Sequence, residues 1–258
     1  MNPDVRARLR RSAGLARSLV VYWRPWRQPR LRRLYAGFVA PGDLVFDIGA
    51  HLGDRSTAFA DLGARVIALE PQPHVRRWLM RIAARRPGIT VCGEAVGAVP
   101  GEAWLSVSAA NPTVSSLSPP WQQAVRSGNA GFRRVAWEDG VQVSVTTLDV
   151  LIARHGEPAF CKIDVEGFEA AVLEGLSRPL AALSFEFVAG ALGEAERCLG
   201  RLSGLGAYLY NVIPGEGRVF RFPEWCGPEA MADWLRRGAD GIASGDIYAV
   251  HDDHRRQS

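Results

Sequence analysis

Three acidic residues stand where the chain should be leaving a buried strand. Asp47 lies at the close of the apolar run "LVFDI" (44–48), Glu70 ends "RVIALE" (65–70), and Asp164 ends "AFCKID" (159–164), with Glu166 two positions on. In open α/β sheets, ligands sit beyond the carboxyl ends of the strands, where the strand order reverses. Glu70 follows Asp47 by 23 residues, close to the spacing at which a second-strand acid accepts from both hydroxyls of a ribose. Pro71 ends that strand.

The turn after the first strand narrows the ligand further. A dinucleotide needs G-x-G-x-x-G, so that the backbone reaches a pyrophosphate at a helix N-terminus. Here the pattern is Asp47-x-Gly49-x-x-x-Gly53, and a carboxylate precedes the first glycine. That carboxylate repels a pyrophosphate and suits a cation. S-adenosylmethionine carries an ammonium and a sulfonium, offers an adenosine to Glu70, and has no phosphate.

These positions require alternating strands and helices. After "LVFDI", residues 55–62 read as a helix, "RVIALE" as a strand, "PHVRRWLMRIAARR" (73–86) as an amphipathic helix and "ITVCGEAVG" (89–97) as a third strand. That order implies a parallel sheet covered on both faces, with right-handed crossovers. "EAWLSVS" reads as a strand, and the proline- and serine-rich residues 109–134 as a loop that would form a lid over the acceptor. "VQVSVTTLDVLIARHG" gives a strand entering a helix, residues 159–176 a strand and a helix, 180–187 a strand, and 192–204 a helix. "AYLYNVI" and "DIYAV" complete the sheet. No repeat or low-complexity linker divides the chain, so one domain is expected over 35–258.

Residues 1–34 differ from the remainder. They hold ten arginines against the single acid Asp4, so the net charge of +4 conceals an acidic body. A basic helical extension is expected there, interrupted by Pro25 and Pro29. Its first expectation is to cap the sheet; peripheral contact with an anionic membrane, aided by Trp23 and Trp26, is the second. Nucleic acid is not expected as a partner. Hydrophobic residues make up 47% and charged residues 22%, as in a soluble globular protein, and no apolar run is long enough to span a bilayer. With no secretory signal pattern and four scattered cysteines, the expected location is cytoplasmic, with peripheral attachment at the inner membrane face as an extension.

"VFDIGAHLGDRS", "VIALEPQP", "GEAVG", "VTTLDVLI" and "CKIDVEGFEAAVLEG", in this order, resemble the FkbM family of S-adenosylmethionine-dependent methyltransferases. The likeness covers about residues 35 to 190, including "YAGFVAPGD". It implies the class I methyltransferase fold, a Rossmann-like α/β architecture with a mostly parallel seven-stranded sheet and helices on both faces. It also implies methyl transfer to a hydroxyl of a sugar, glycan or secondary metabolite. By position, Asp47, Gly49, Ala50, His51 and Gly53 would surround the methionine part of the cofactor, Glu70 and Pro71 the ribose, and Glu94 and Ala95 the adenine. Asp164 and Glu166 would line the transfer pocket. His51 and Glu94 replace the asparagines usual in the family.

A hydroxyl is a poor nucleophile and must lose its proton as the new bond forms, which calls for a general base. Asp164 is the first choice, Glu166 the second and His51 the third, while Lys162 suits a structural partner for a carboxylate. A divalent metal held by Asp164, Glu166 and Glu186 is a minor reading, and no metal is assigned. Residues "TVSSLS" would offer hydroxyls to the acceptor, and Trp104, Trp121 and Trp137 either stack on it or pack the core. Two other readings share the cofactor residues: an amine as acceptor, or a non-catalytic, membrane-docked protein that kept the fold.

Overall fold

The computed structural model describes residues 27–108, 111–137 and 139–255. The residues before Arg27, with Trp23, Pro25 and Trp26, lie outside the described residues. Helix α1 (Arg27–Tyr35) precedes the first βαβαβ unit. That unit runs through β1 (Leu44–Ile48), α2 (Asp54–Asp61), β2 (Arg65–Leu69), α3 (Pro73–Ala83) and β3 (Ile89–Cys92). Three strands follow, β4 (Ala95–Val96), β5 (Gly101–Val107) and β6 (Asp139–Thr146), with α4 (Pro119–Gly128) between the last two. The second half comprises α5 (Leu148–His155), β7 (Phe160–Ile163), α6 (Glu169–Glu174), β8 (Ala182–Val188) and α7 (Leu192–Leu205). It closes with β9 (Tyr208–Pro214), α8 (Pro228–Arg236), β10 (Ser244–His251) and the short α9 (Asp252–Arg255).

Seven strands make one sheet in the order β3-β2-β1-β7-β8-β10-β9. Its first five strands are mutually parallel, and β10 runs antiparallel to both β8 and β9. The chain builds outward from β1 through β2 to β3, then restarts at β7 on the other side of β1. The order therefore reverses between β1 and β7, whose register sets Asp47 opposite Lys162 and Ile48 opposite Ile163. Asp47 and Asp164 thus meet at the switch point. β4, β6 and β5 form a separate three-stranded sheet.

Both faces of the large sheet are covered, because consecutive strand residues point to opposite sides. On one side Phe46, Ile48, Ile163 and Phe185 pack with Leu151, Val172, Leu199 and Trp234 from α5, α6, α7 and α8. On the other, Val45, Val66, Ala68 and Phe160 pack with Leu31, Tyr35, Phe59 and Leu79 from α1, α2 and α3. Full burial of a side chain such as Phe46 or Phe160 contributes roughly 1.5–3 kcal/mol. No helix among the described residues is long and apolar enough to cross a membrane.

Three expectations change. The run 89–97 is two strands in two sheets, since the chain leaves β2 at Cys92 and pairs with β6 from Ala95. Residues 109–134 contain a ten-residue helix, α4, rather than loop alone. Pro119 and Pro120 occupy its first turn, where a missing N–H costs nothing, and the Ser118 hydroxyl caps the Trp121 N–H. Pro29 lies inside the helical run Arg27–Tyr35 instead of ending it.

Candidate active site

The turn after β1 is pinned from both sides. The Gly49 and Ala50 N–H groups both donate to the Leu69 carbonyl, at 3.0 and 2.9 Å. Gly49 has φ +81°, and a Cβ there would sit 1.8 Å from the Asp164 carbonyl oxygen. Glycine is thus required because the turn presses on the end of β7. Gly53 (φ +70°) packs its backbone against Leu79 of α3 and, unlike the other expected site residues, is not part of the cavity wall. Its contribution is to seat the turn.

Glu70 is buried and accepts from two backbone groups, the His51 N–H at 3.0 Å on Oε2 and the Gln72 N–H at 2.8 Å on Oε1. Each oxygen keeps a second lone pair for a hydroxyl donor. Burial outweighs those bonds and pushes the Glu70 carboxyl up to about 7. Burial raises Asp47 to about 6, although the Ser56 hydroxyl donates to it at 2.5 Å. The same cause lowers the His51 imidazole to about 4, which leaves it a weak base.

At the end of β7 lies a dense group of charges. The Lys162 ammonium is fully buried and reaches Asp246 at 2.9 Å, Asp164 at 3.3 Å and the Ile163 carbonyl at 3.3 Å. Glu166 adopts φ +56°, unusual for a residue with a Cβ, and its carbonyl accepts from the Ser116 hydroxyl at 2.6 Å. Asp164, Glu166 and Glu186 each place a carboxylate oxygen within 4.8 Å of the others. Burial, then the charges of Asp164 and Glu169, push Glu166 well above the usual carboxylate range. Burial, then Glu166 and Asp164, do the same to Glu186.

One cleft of about 1180 Å³, its open mouth included, joins these groups. Asp47, Gly49, Ala50, His51, Glu70, Pro71, Glu94, Ala95, Asp164 and Glu166 all line it. Glu94 is held from outside by Arg154, at 3.0 and 3.1 Å. Thr113 and Ser115 reach the wall from the segment before α4. Trp121 does not: it is 5% exposed and lies on the backbone of Gly167, so it packs α4 against the loop that carries Glu166. Trp137 donates to the Val114 carbonyl at 2.7 Å, and Trp104 is 66% exposed on β5. Neither of these two tryptophans lines the cleft.

Sequence reasoning missed Arg55, Glu216 and Asp246 as wall residues. Arg55 lies 3.7 Å from both Asp54 and Asp246. Arg27 of α1 binds Asp54 at 2.8 Å and Glu216 at 2.8 Å, so α1 is clipped to the rim. The signal available was the pair Asp54-Arg55 directly after Gly53, in the first turn of a helix that follows a ligand turn.

The sequence pattern of the methyltransferase FkbM domain matches residues 47–194, more than half of the chain. The chain belongs to the FkbM methyltransferase family. It is an S-adenosylmethionine-dependent methyltransferase with the class I fold. No curated protein matches this FkbM chain significantly. Similar solved structures include a precorrin-6y C5,15-methyltransferase from Geobacter metallireducens, at 12% identity and TM-score 0.46, covering 88% of this chain and 87% of that one. Magnesium protoporphyrin IX methyltransferase from Synechocystis with bound cofactor gives 12% identity and TM-score 0.45, covering 92% and 84%. Fibrillarin from Aeropyrum pernix, with natively bound S-adenosyl-L-methionine, gives 13% and 0.42, covering 83% and 68%.

The wall fits this cofactor. Glu70 has acceptors for a ribose diol, and the acids Asp47 and Asp54 at the turn disfavour a pyrophosphate. Arg55 lies among them as a cation.

Proposed function

We propose that this FkbM methyltransferase methylates a hydroxyl oxygen on a sugar, glycan or small metabolite, with a carboxylate at the end of β7 as general base. The observation that supports this reading is the position of Asp164 and Glu166 in the same cleft as Glu70 and Asp47. The bound cofactor supplies a methyl group on a sulfonium, whose departure as a neutral thioether needs no acid. Glu70 accepts from the ribose hydroxyls and fixes the adenosine. Asp47 holds the turn through Ser56 and adds negative potential at the methionine end, and Arg55 pairs with the methionine carboxylate. Glu94 and Ala95 bound the adenine side.

Asp164 receives the proton of the acceptor hydroxyl, and Lys162 fixes its carboxylate by the 3.3 Å contact. The segment of residues 109–134 forms the acceptor side of the cleft, with Thr113 and Ser115 as its hydrogen-bonding groups. An amine acceptor is the second reading, because clustered carboxylates would also hold an ammonium.

Labelled methyl transfer to a panel of glycan and metabolite extracts tests the assignment. Expected is an O-methyl product, lost by about 10²–10⁴-fold in Asp164→Asn while cofactor affinity is kept. Full turnover in that variant would remove Asp164 as base, and an N-methyl product would replace the hydroxyl reading. Contact of residues 1–34 with anionic lipid belongs to the same proposal. Vesicle sedimentation before and after deletion of residues 1–26, which spares α1, tests it; an unchanged pellet discards it.

A further inference from the structure

Glu166 and Glu186 pose a problem that the protein's own cations do not solve. Each residue faces the cleft, yet its Oε2 is sealed from solvent and has no hydrogen-bond partner. An ammonium has three N–H donors, and those of Lys162 are taken up by Asp246, Asp164 and the Ile163 carbonyl. Arg55 is directed to Asp54 and Asp246. Glu169, the next acid in the loop, already accepts from the Val165 and Gly167 N–H groups, at 3.2 and 3.1 Å, and brings more negative charge. Carboxylate oxygens sealed from water without partners are costly, and two of them beside a third acid facing one point call for a cation there.

We propose that Asp164, Glu166 and Glu186 form a site for one hard divalent cation, Mg²⁺ or Mn²⁺, at the acceptor end of the cleft. The three residues come from the end of β7, the loop after it and β8, and each offers an oxygen within 4.8 Å of the other two. Ligands at about 2.0–2.6 Å from one ion lie about 3–5 Å apart, so a single ion satisfies all three. The donor set contains oxygen alone, with no thiolate or imidazole, which selects Mg²⁺ or Mn²⁺ over zinc or copper. Three protein ligands leave coordination positions open toward the cleft, where an acceptor oxygen would complete the shell. This inference deepens the hydroxyl reading. A bound oxygen would be held for in-line attack and would give up its proton more readily, to the Asp164 oxygen that the ion leaves free.

Titration of the full-length protein with Mn²⁺ alone, followed by the electron paramagnetic resonance of free Mn²⁺, tests the site. Expected is one saturable Mn²⁺ per chain, displaced by Mg²⁺, with affinity lowered by at least about tenfold in Glu186→Gln and in Glu166→Gln. Calorimetry with S-adenosylmethionine, run separately, should give affinities within about threefold of wild type in both variants, since neither lies at the ribose end. The wild-type melting temperature should rise with Mg²⁺, a readout that needs no variant. No saturable Mn²⁺ in wild type, no rise in melting temperature, or equal Mn²⁺ affinity in wild type and both variants would overturn the proposal. Each of those results leaves the methyltransferase reading intact, which only failure of wild type to bind S-adenosylmethionine would touch.

Discussion

Gly49→Ala tests how the turn after β1 and the end of β7 are coupled. An alanine Cβ would stand 1.8 Å from the Asp164 oxygen and 2.8 Å from its carbonyl carbon. An ordinary carbon–oxygen approach is about 3.3 Å, so about 1.5 Å must be found. Both partners are backbone, and neither has a flexible end to swing away. The positive φ costs about 1–2 kcal/mol and the overpacking a further ~1–3 kcal/mol, giving about 2–5 kcal/mol. Gly42→Ala is the control: its φ is +91°, but a Cβ there meets nothing within 4 Å, so only the conformational cost applies. Urea denaturation of both variants therefore separates strain from collision. A displacement of about 1 Å at Asp164 can also cost about 10²-fold in turnover, so Gly49→Ala should lose activity even where it remains folded. Equal stability of the two variants, within about 0.5 kcal/mol, with full activity in Gly49→Ala, would refute the coupling.

Two further outcomes follow from the charges. If Glu70, raised from 4.5 to about 7, meets ribose hydroxyls as the carboxylate, as proposed, cofactor affinity should weaken up to about tenfold per pH unit below 7. The sign for stability is opposite: the folded apo protein holds this proton more tightly than the unfolded chain. Its contribution is therefore full below pH 4.5 and is lost as pH rises toward 7. Calorimetry in buffers of different ionisation enthalpy should show proton release on binding at pH 6; no release would refute the Glu70 assignment. Lys162→Met leaves the buried Asp246, and the partly exposed Asp164, without their ammonium and should cost about 3–5 kcal/mol in chemical denaturation, partly recovered by adding Asp246→Asn. Independent, additive effects of the two changes would show that the ion pair does not couple β7 to β10.

The end of the cleft at Asp47 and Glu70 was legible because its residues are close in sequence. A buried strand that ends on Asp47 and a second that ends on Glu70 announce their positions through local pattern alone. The acceptor end depends on distant pairing. Alternation along "SFEF" does not settle where Glu186 points, because β8 is buried on both faces and lacks a polar side to count from. Asp246 and Glu216 reach the cleft from the far end of the chain, through strand pairing that no local signal encodes. The error in α4 has a plain cause: proline ends a helix from inside but starts one from its first turn, and composition does not tell the two apart. Gly53 kept its motif position while its reason changed, from ligand approach to packing on Leu79.

The place of β10 in the sheet bears on how this enzyme is made. β9 reaches the sheet only through β10, and β10 carries the carboxylate that neutralises the buried Lys162. A ribosome-bound intermediate holding β1 through β8 would contain Asp47 and Glu70 yet leave that ammonium short of a counter-charge and the edge of β8 bare. Domains form as units once their last interior strand is available. Catalytic competence should therefore arrive abruptly, once β10 has been made, and a product truncated before it should be a target for proteolysis rather than a slow enzyme.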